Sequence, residues 1–363
     1  RMFIPIRKSI ISMTCDNEIQ KAILIKMKIP IINASQLGKE ANPELDKALG
    51  DAAYACGFLI LTDLPNFKPS KLADQITAIY SLPAGEQDKL QKKNFNAKNE
   101  NQYRGMYHAQ LVDDAISRPA GYDIGPDICY PLHPLHDQDI LREKTPLPDP
   151  HLLPGWQAAT ANWYRHVQQL GINLLSALAR ANNYPEDSFA IDEQESISTF
   201  RILHYPQFSK DKAATDAIAT IAHQDEHYLQ TIGTHVDSGL ITILYQCNEP
   251  GLQALSPADE WVDVPVIKDS LVINFGGLIE RMTGGQIKAT RHRVISQGRQ
   301  RFSLPFFFEP EAERMISAMP GVPPFKPFYY GDYLWTKATQ FPPNIGLGPL
   351  RENRGIFIDP ISG

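Results

Sequence analysis

Two histidines and one aspartate stand where they could share a single metal ion. In Thr234-His235-Val236-Asp237-Ser238-Gly239 the pair His235 and Asp237 is spaced i, i+2, directly ahead of the apolar run Leu240-Ile241-Thr242-Ile243-Leu244. Alternate residues of a strand point to one face, so an imidazole nitrogen and a carboxylate oxygen would project together. His292, in Thr290-Arg291-His292-Arg293-Val294, lies in a later β run and can bring a third donor from a nearby strand. Two histidines and a carboxylate form a facial set that leaves coordination positions open. That donor set suits an iron that must also take up O2 and a co-substrate.

A second H-x-D, His223-Gln224-Asp225, followed by His227, competes for the role. It lies in the polar stretch 222–230, which reads as a loop, whereas a buried-strand pattern follows Asp237 at once. The expectation is therefore that His235 and Asp237 are ligands and that His223 and His227 are solvated, their other use being a lid over substrate. Taken alone, His292 would be read as a structural histidine. The upstream pair and the downstream Arg301-Phe302-Ser303 are what make it a ligand candidate. His108, His133, His136, His151, His166 and His204 show no ligand spacing.

The elements that must position these groups lie mostly in the second half. Short β-rich runs cover 198–204, 232–236, 240–245, 252–255, 261–264, 271–275, 290–295 and 302–308, with turns at Glu249-Pro250-Gly251, Gly276-Gly277 and Gly284-Gly285. Many short strands at even spacing predict a sandwich or jelly-roll-like barrel, whose mouth can hold a metal and a ligand. The first half reads helical, with amphipathic patterns over 43–54, 71–82 and 156–181. Strands are expected at 28–32 and 58–61, and the Pro- and Gly-spotted stretch 118–154 reads as ordered loop.

Composition narrows the classes. In 363 residues, 43 % hydrophobic and 21 % charged residues fit a globular chain, and the net charge of -6 carries no polyanion-binding signature. Nucleic acid and membrane partners are not expected, and no run reaches the ~18 apolar residues of a membrane span. Cys15, Cys56, Cys129 and Cys247 lack CxxC spacing and read as free thiols of a reducing cytoplasm. The start of the chain has no clean apolar segment, so a signal peptide is not expected.

In order, the H-x-D, the distal His-Arg-Val and Arg301-Phe302-Ser303 resemble the isopenicillin N synthase-like family of iron/2-oxoglutarate-dependent oxygenases. Ile29-Pro30-Ile31-Ile32, Gly57-Phe58-Leu59, Ile202-Leu203-His204-Tyr205-Pro206 and Tyr330-Gly331-Asp332-Tyr333-Leu334 resemble further family segments. The resemblance implies a mainly β fold with flanking helices, a double-stranded β-helix core braced by an N-terminal helical region. It divides the chain into an extension (1–26), a helical or mixed region (27–195) and the core with its tail (196–363), as one structural unit. It implies Fe(II) held by His235, Asp237 and His292, and 2-oxoglutarate whose distal carboxylate meets Arg301, Ser303 and Tyr205. O2 is consumed, succinate and CO2 are released, and a small organic substrate is hydroxylated or desaturated, with ascorbate as a candidate reductant. Arg301 suits the carboxylate because its planar fork binds both oxygens.

Parts of the chain look closer to isopenicillin N synthase itself, in which the corresponding Arg and Ser grip the substrate's own carboxylate and no 2-oxoglutarate is used. The second expectation is therefore an Fe(II) oxidase of that type. On the same resemblance Arg104, with Tyr107 beside it, falls where a substrate-binding arginine occurs; the plainer reading of Arg104 is a solvated arginine. A silent β-barrel binding protein and a zinc hydrolase are the remaining alternatives. The partners expected are a small molecule and O2, with the chain a monomer or dimer.

Overall fold

The computed structural model describes residues 27–38, 40–112, 115–131, 139–208, 220–224, 226–247 and 249–352. Cys15, His133, His136, Asp225 and the last residues of the tail lie outside them. The first part of the chain gives β1 (Ile31–Asn33), α1 (Pro43–Ala55), β2 (Phe58–Thr62), α2 (Ser70–Thr77) and α3 (Ala84–Asp88). It continues through β3 (Gly105–Tyr107), β4 (Gln110–Val112), β5 (Ala115–Arg118) and β6 (Ala120–Ile124) to the long helix α4 (Trp156–Ala181). Next come β7 (Thr199–Tyr205), β8 (Thr220–His223), β9 (Glu226–His235), β10 (Ile241–Tyr245), β11 (Leu252–Leu255) and β12 (Trp261–Asp263). The chain closes with β13 (Leu271–Phe275), α5 (Gly277–Met282), β14 (His292–Ser296), β15 (Arg301–Phe308), β16 (Met315–Ile316), β17 (Phe328–Tyr329) and α6 (Tyr330–Ala338).

Two sheets face each other. The larger has eight strands in the order β1-β2-β13-β10-β15-β7-β6-β3, and the smaller has five in the order β12-β11-β14-β9-β8. This is the double-stranded β-helix expected from the resemblance, wrapped on one side by helices. The period of two sorts the larger sheet cleanly. Leu59, Phe200, Ile202, Ile241, Ile243, Ile273, Leu304 and Phe306 point outward and join the core against α4. Phe58, Ile60, Leu203, Tyr205, Leu244 and Val272 point inward, toward Leu252, Ala254 and Val294 of the smaller sheet.

The helix lies close against its sheet. Trp163 stacks on Phe200 with ring centroids 5.8 Å apart. A Cβ added at Gly171 would come within 2.4 Å of the Phe308 ring, so only glycine lets α4 approach this closely. Full burial of each large apolar side chain here contributes roughly 1.5–3 kcal/mol.

Two stretches differ from the sequence expectation. Within 118–154, read as loop, Ala120–Ile124 is a strand of the larger sheet, pairing with both β3 and β7. Its inward positions are Gly121 and Asp123, so the alternation that marks a half-apolar strand was disguised as turn composition. The polar stretch 222–230 is likewise part of a hairpin, β8 with β9. It forms the outer edge of the smaller sheet, where β8 is largely exposed and polar side chains are tolerated. Among the described residues no helix is long and apolar enough to cross a membrane.

Candidate metal centre

His235 ends β9 and His292 begins β14, and the two are register partners across the smaller sheet. Their rings lie 4.3 Å apart. Asp237 follows in the turn toward β10, its Oδ1 at 3.4 Å from His235 Nε2 and 3.7 Å from His292 Nε2. The three donor atoms all fall within 4.8 Å of one another. The gaps of 3.4 and 3.7 Å at Asp237 can be spanned by one ion, because two metal–ligand bonds of about 2.0–2.2 Å reach that far.

The backbone fixes which atoms are offered. His235 Nδ1 lies 2.8 Å from the Gly233 carbonyl and His292 Nδ1 3.1 Å from that of Thr290. A carbonyl only accepts, so each ring carries its proton on Nδ1 and presents an Nε2 lone pair to the centre. Asp237 Oδ2 accepts from the Thr242 hydroxyl at 2.5 Å and the Asn274 amide at 2.8 Å, which leaves Oδ1 for the ion. The Asp237 carbonyl in turn accepts from Gly277 N at 2.7 Å. A Cβ on Gly276 would sit 2.1 Å from the Gly239 carbonyl oxygen, so this turn closes only on glycine.

Charge supports the same use. Burial disfavours ionised Asp237, but His292, His235 and Asn274 outweigh it and hold the carboxyl far below the usual carboxylate range. Burial pushes the His292 pKa down despite Asp237. For His235 burial is the largest influence, yet Asp237 and the Gly233 carbonyl together shift its pKa up. Asp237 is therefore ionised and His292 neutral near neutral pH, as ligation requires, and a cation at the centre competes with the proton on His235.

Deeper between the sheets, Arg301 begins β15 opposite Tyr205 of β7. Its guanidinium lies 4.7 Å from the Tyr205 ring centroid and is only 4 % exposed. Nε donates to the Glu249 carbonyl at 3.3 Å, while Nη1 has no partner among the described residues. Ser303, buried two residues on, shares the inward face. A buried guanidinium with an unmet donor and no paired carboxylate is costly on its own. A carboxylate arriving with a ligand fits that vacancy of charge.

The remaining sequence candidates separate. Tyr107 is buried on the inward face with its hydroxyl unpartnered, crossing over Gly121, where a Cβ would clash with it. Arg104 is corrected. It is fully buried, and its Nη1 donates to Thr199 Oγ1 at 2.6 Å and its Nη2 to the Leu141 and Ile197 carbonyls. It is therefore not the solvated arginine of the plainer reading, and its Nε has no partner among the described residues. His223 pairs with Asp263 at 2.9 Å and His227 is exposed on the hairpin, both away from the ligand cluster. Sequence reasoning missed Thr242 and Asn274, the two partners of Asp237. Both could have been found, since Thr242 and Asn274 stand at alternate positions of apolar strand runs and so share the inward face.

Residues 199–310 match the 2OG-Fe(II) oxygenase superfamily. The 2-oxoglutarate-Fe(II) type oxidoreductase hxnY of Emericella nidulans is 30% identical over 292 residues, 77% of this chain and 78% of that one. Isopenicillin N synthase of Streptomyces clavuligerus is 25% identical over 331 residues, covering 84% of this chain and 93% of the synthase. A Neurospora crassa protein crystallised with alpha-KG shares the fold at a TM-score of 0.71 and 22% identity, over 86% of this chain and 96% of that one. With its His-Asp-His cluster, the chain belongs to the 2OG-Fe(II) oxygenase superfamily and is an oxidoreductase that works with Fe(II) and 2-oxoglutarate.

Proposed function

We propose that the chain is a dioxygenase that hydroxylates or desaturates a small organic substrate, with His235, Asp237 and His292 as the iron ligands. In this reading Arg301, Ser303 and Tyr205 seat the distal carboxylate of 2-oxoglutarate, and Tyr107 lies on the substrate side. The observation that carries it is the unpartnered Nη1 of buried Arg301, on the same inner surface as the groups that hold Asp237. Iron, when bound, would supply the O2 chemistry that no protein side chain can, with 2-oxoglutarate oxidised as the co-substrate.

The chain's own residues do the positioning. Thr242 and Asn274 keep Asp237 ionised and turned so that one oxygen faces the centre. The Gly233 and Thr290 carbonyls hold protons on the far nitrogens of the two rings. Arg301 and Ser303 hold a carboxylate in a dry setting, where a charge-assisted pair is strongest. Phe58, Leu244 and Val294 give the space between an apolar lining. The free thiols of Cys56, Cys129 and Cys247, and the lack of any disulfide among the described residues, support a cytoplasmic setting.

The test is anaerobic visible absorbance of the Fe(II)-loaded protein titrated with 2-oxoglutarate. A saturable charge-transfer band is expected, lost together with turnover in His235→Ala, Asp237→Ala or His292→Ala. Arg301→Ala should keep iron but weaken 2-oxoglutarate about 100-fold, since removing one partner of a buried charge pair costs roughly 2–5 kcal/mol. Full activity in any of the three ligand variants, or unchanged 2-oxoglutarate affinity in Arg301→Ala, would defeat the assignment.

A further inference from the structure

The inner face of β7 carries two cationic posts. Tyr205 meets Arg301 at one end, and Arg201 stands about 13 Å away along the strand, at ~3.3 Å per residue. Arg201 donates through Nε and Nη2 to the two oxygens of Asp123. Asp123 already has a cation: Lys92, wholly buried, reaches its Oδ2 at 2.8 Å. Lys92 and Asp123 balance one another, so the charge of Arg201 is surplus. Among the described residues no acceptor takes its Nη1, and its side chain keeps 17% exposure. Glu309 does not cancel the surplus, because burial pushes its carboxyl up to about 8 and leaves it mostly protonated at neutral pH.

The surroundings are those of a ligand wall. The guanidinium lies 5.1 Å from the Phe307 ring, 4.8 Å from Phe341 and 5.7 Å from Tyr107. The Tyr107 hydroxyl is buried without a partner. Phe307 is the register partner of Thr242, the residue that donates to Asp237. Two strand spacings, about 10 Å, therefore separate the Arg201 strand from the strand that supports the metal ligand. An exposed surface arginine would pair with water. This one sits among rings, with Nη1 left without an acceptor among the described residues and a planar fork that matches a carboxylate.

We propose that Arg201, held by Asp123 and backed by Lys92, binds a carboxylate of the prime substrate, while Phe307 and Phe341 pack its apolar body beside the metal. The inference rests on the reaction proposed above and narrows its substrate class to small organic acids with a flat or apolar body.

The test uses the anaerobic protein loaded with Fe(II) and 2-oxoglutarate, with binding read by titration calorimetry. Benzoate and benzamide share a shape and differ in charge. Wild type should prefer benzoate at least tenfold, Arg201→Gln should lose that preference, and Arg201→Lys should recover part of it. Benzamide should bind both variants as it binds wild type. Arg201→Gln leaves Lys92 and Asp123 paired, so the buried charge stays balanced and the variant should fold. Should it not, the wild-type preference decides alone. Equal affinity for benzoate and benzamide overturns the proposal, as does failure of benzoate, 3-phenylpropionate and octanoate all to bind wild type. Absence of the 2-oxoglutarate charge-transfer band in wild type would instead defeat the proposed reaction, and the carboxylate titration, which reads heat and not turnover, would still report on Arg201.

Discussion

The two faces of the eight-stranded sheet are made by the same strands and differ at alternate residues. Outward, Phe200, Ile202, Ile241, Ile243, Ile273, Leu304 and Phe306 form a dry layer against α4. Inward, the same strands present Arg201, Tyr205, Thr242, Asn274, Arg301 and Ser303, interspersed with smaller apolar groups. The outer face holds the sheet in shape, and the inner face can therefore carry unpaired donors and surplus charge at a cost the outer face covers. Stability and chemistry are thus separated by a distance of one residue along each strand, so neighbouring substitutions should fall into different classes.

The largest effect should come from the outer face. Phe306 is fully buried, packed edge-on against Tyr164 at 4.8 Å and 6.1 Å from Phe308. Phe306→Ala should lower stability by about 3–5 kcal/mol through the cavity it leaves. Chemical denaturation would read the loss. Fe(II) affinity of the folded fraction should stay within about twofold, because no Asp237 partner is touched. A change in iron affinity matching the loss of stability would show that the two faces are not separable.

An inner-face change should behave the other way. Asn274→Ala removes the amide that donates to Asp237 Oδ2 at 2.8 Å and leaves Thr242 as the remaining donor. Groups that orient a metal ligand typically account for 10–100-fold in metal affinity. Fe(II) binding, or Co(II) absorbance as its surrogate, should weaken by that range while the melting temperature moves little. Unchanged affinity would mean that Thr242 alone orients the carboxylate.

The same alternation explains what could be read from sequence. The cluster of His235 and Asp237 was legible because the two stand i, i+2 directly ahead of a buried strand, and α4 because its apolar stripe is long. The position of Arg301 and Ser303 followed from the same spacing. Arg104 was misjudged because a short strand in a Gly- and Tyr-rich stretch gives no periodicity to fix its face; Met106, two residues on, points into the outer core and Tyr107 inward. Arg201 was missed for a different reason. Its face was deducible from Tyr205, but its importance depends on Asp123 and Lys92, which arrive from distant segments through the pairing of β6 with β7. Register between strands of such separation is not encoded in any local pattern.

Glu309 tests the boundary between the faces, just past the end of β15. Its carboxyl is buried, with Oε2 unpartnered, and burial raises its pKa to about 8 against the opposing pull of Arg104 and Arg201. The folded state then holds a proton that the unfolded chain releases near pH 4.5. Stability from this group is full below that value, declines as pH rises toward about 8, and is flat above it. Glu309→Gln cannot ionise, so it should abolish this decline and melt like wild type at pH 4.5. At pH 9 we expect it to be the more stable protein by about 1 kcal/mol, less than the full shift because a buried site relaxes around its charge. If wild type and Glu309→Gln keep parallel stability profiles between pH 5 and 9, the carboxyl is ionised throughout. Arg104 and Arg201 would then share a counter-ion, and the surplus charge assigned to the inner face would be neutralised from within the protein.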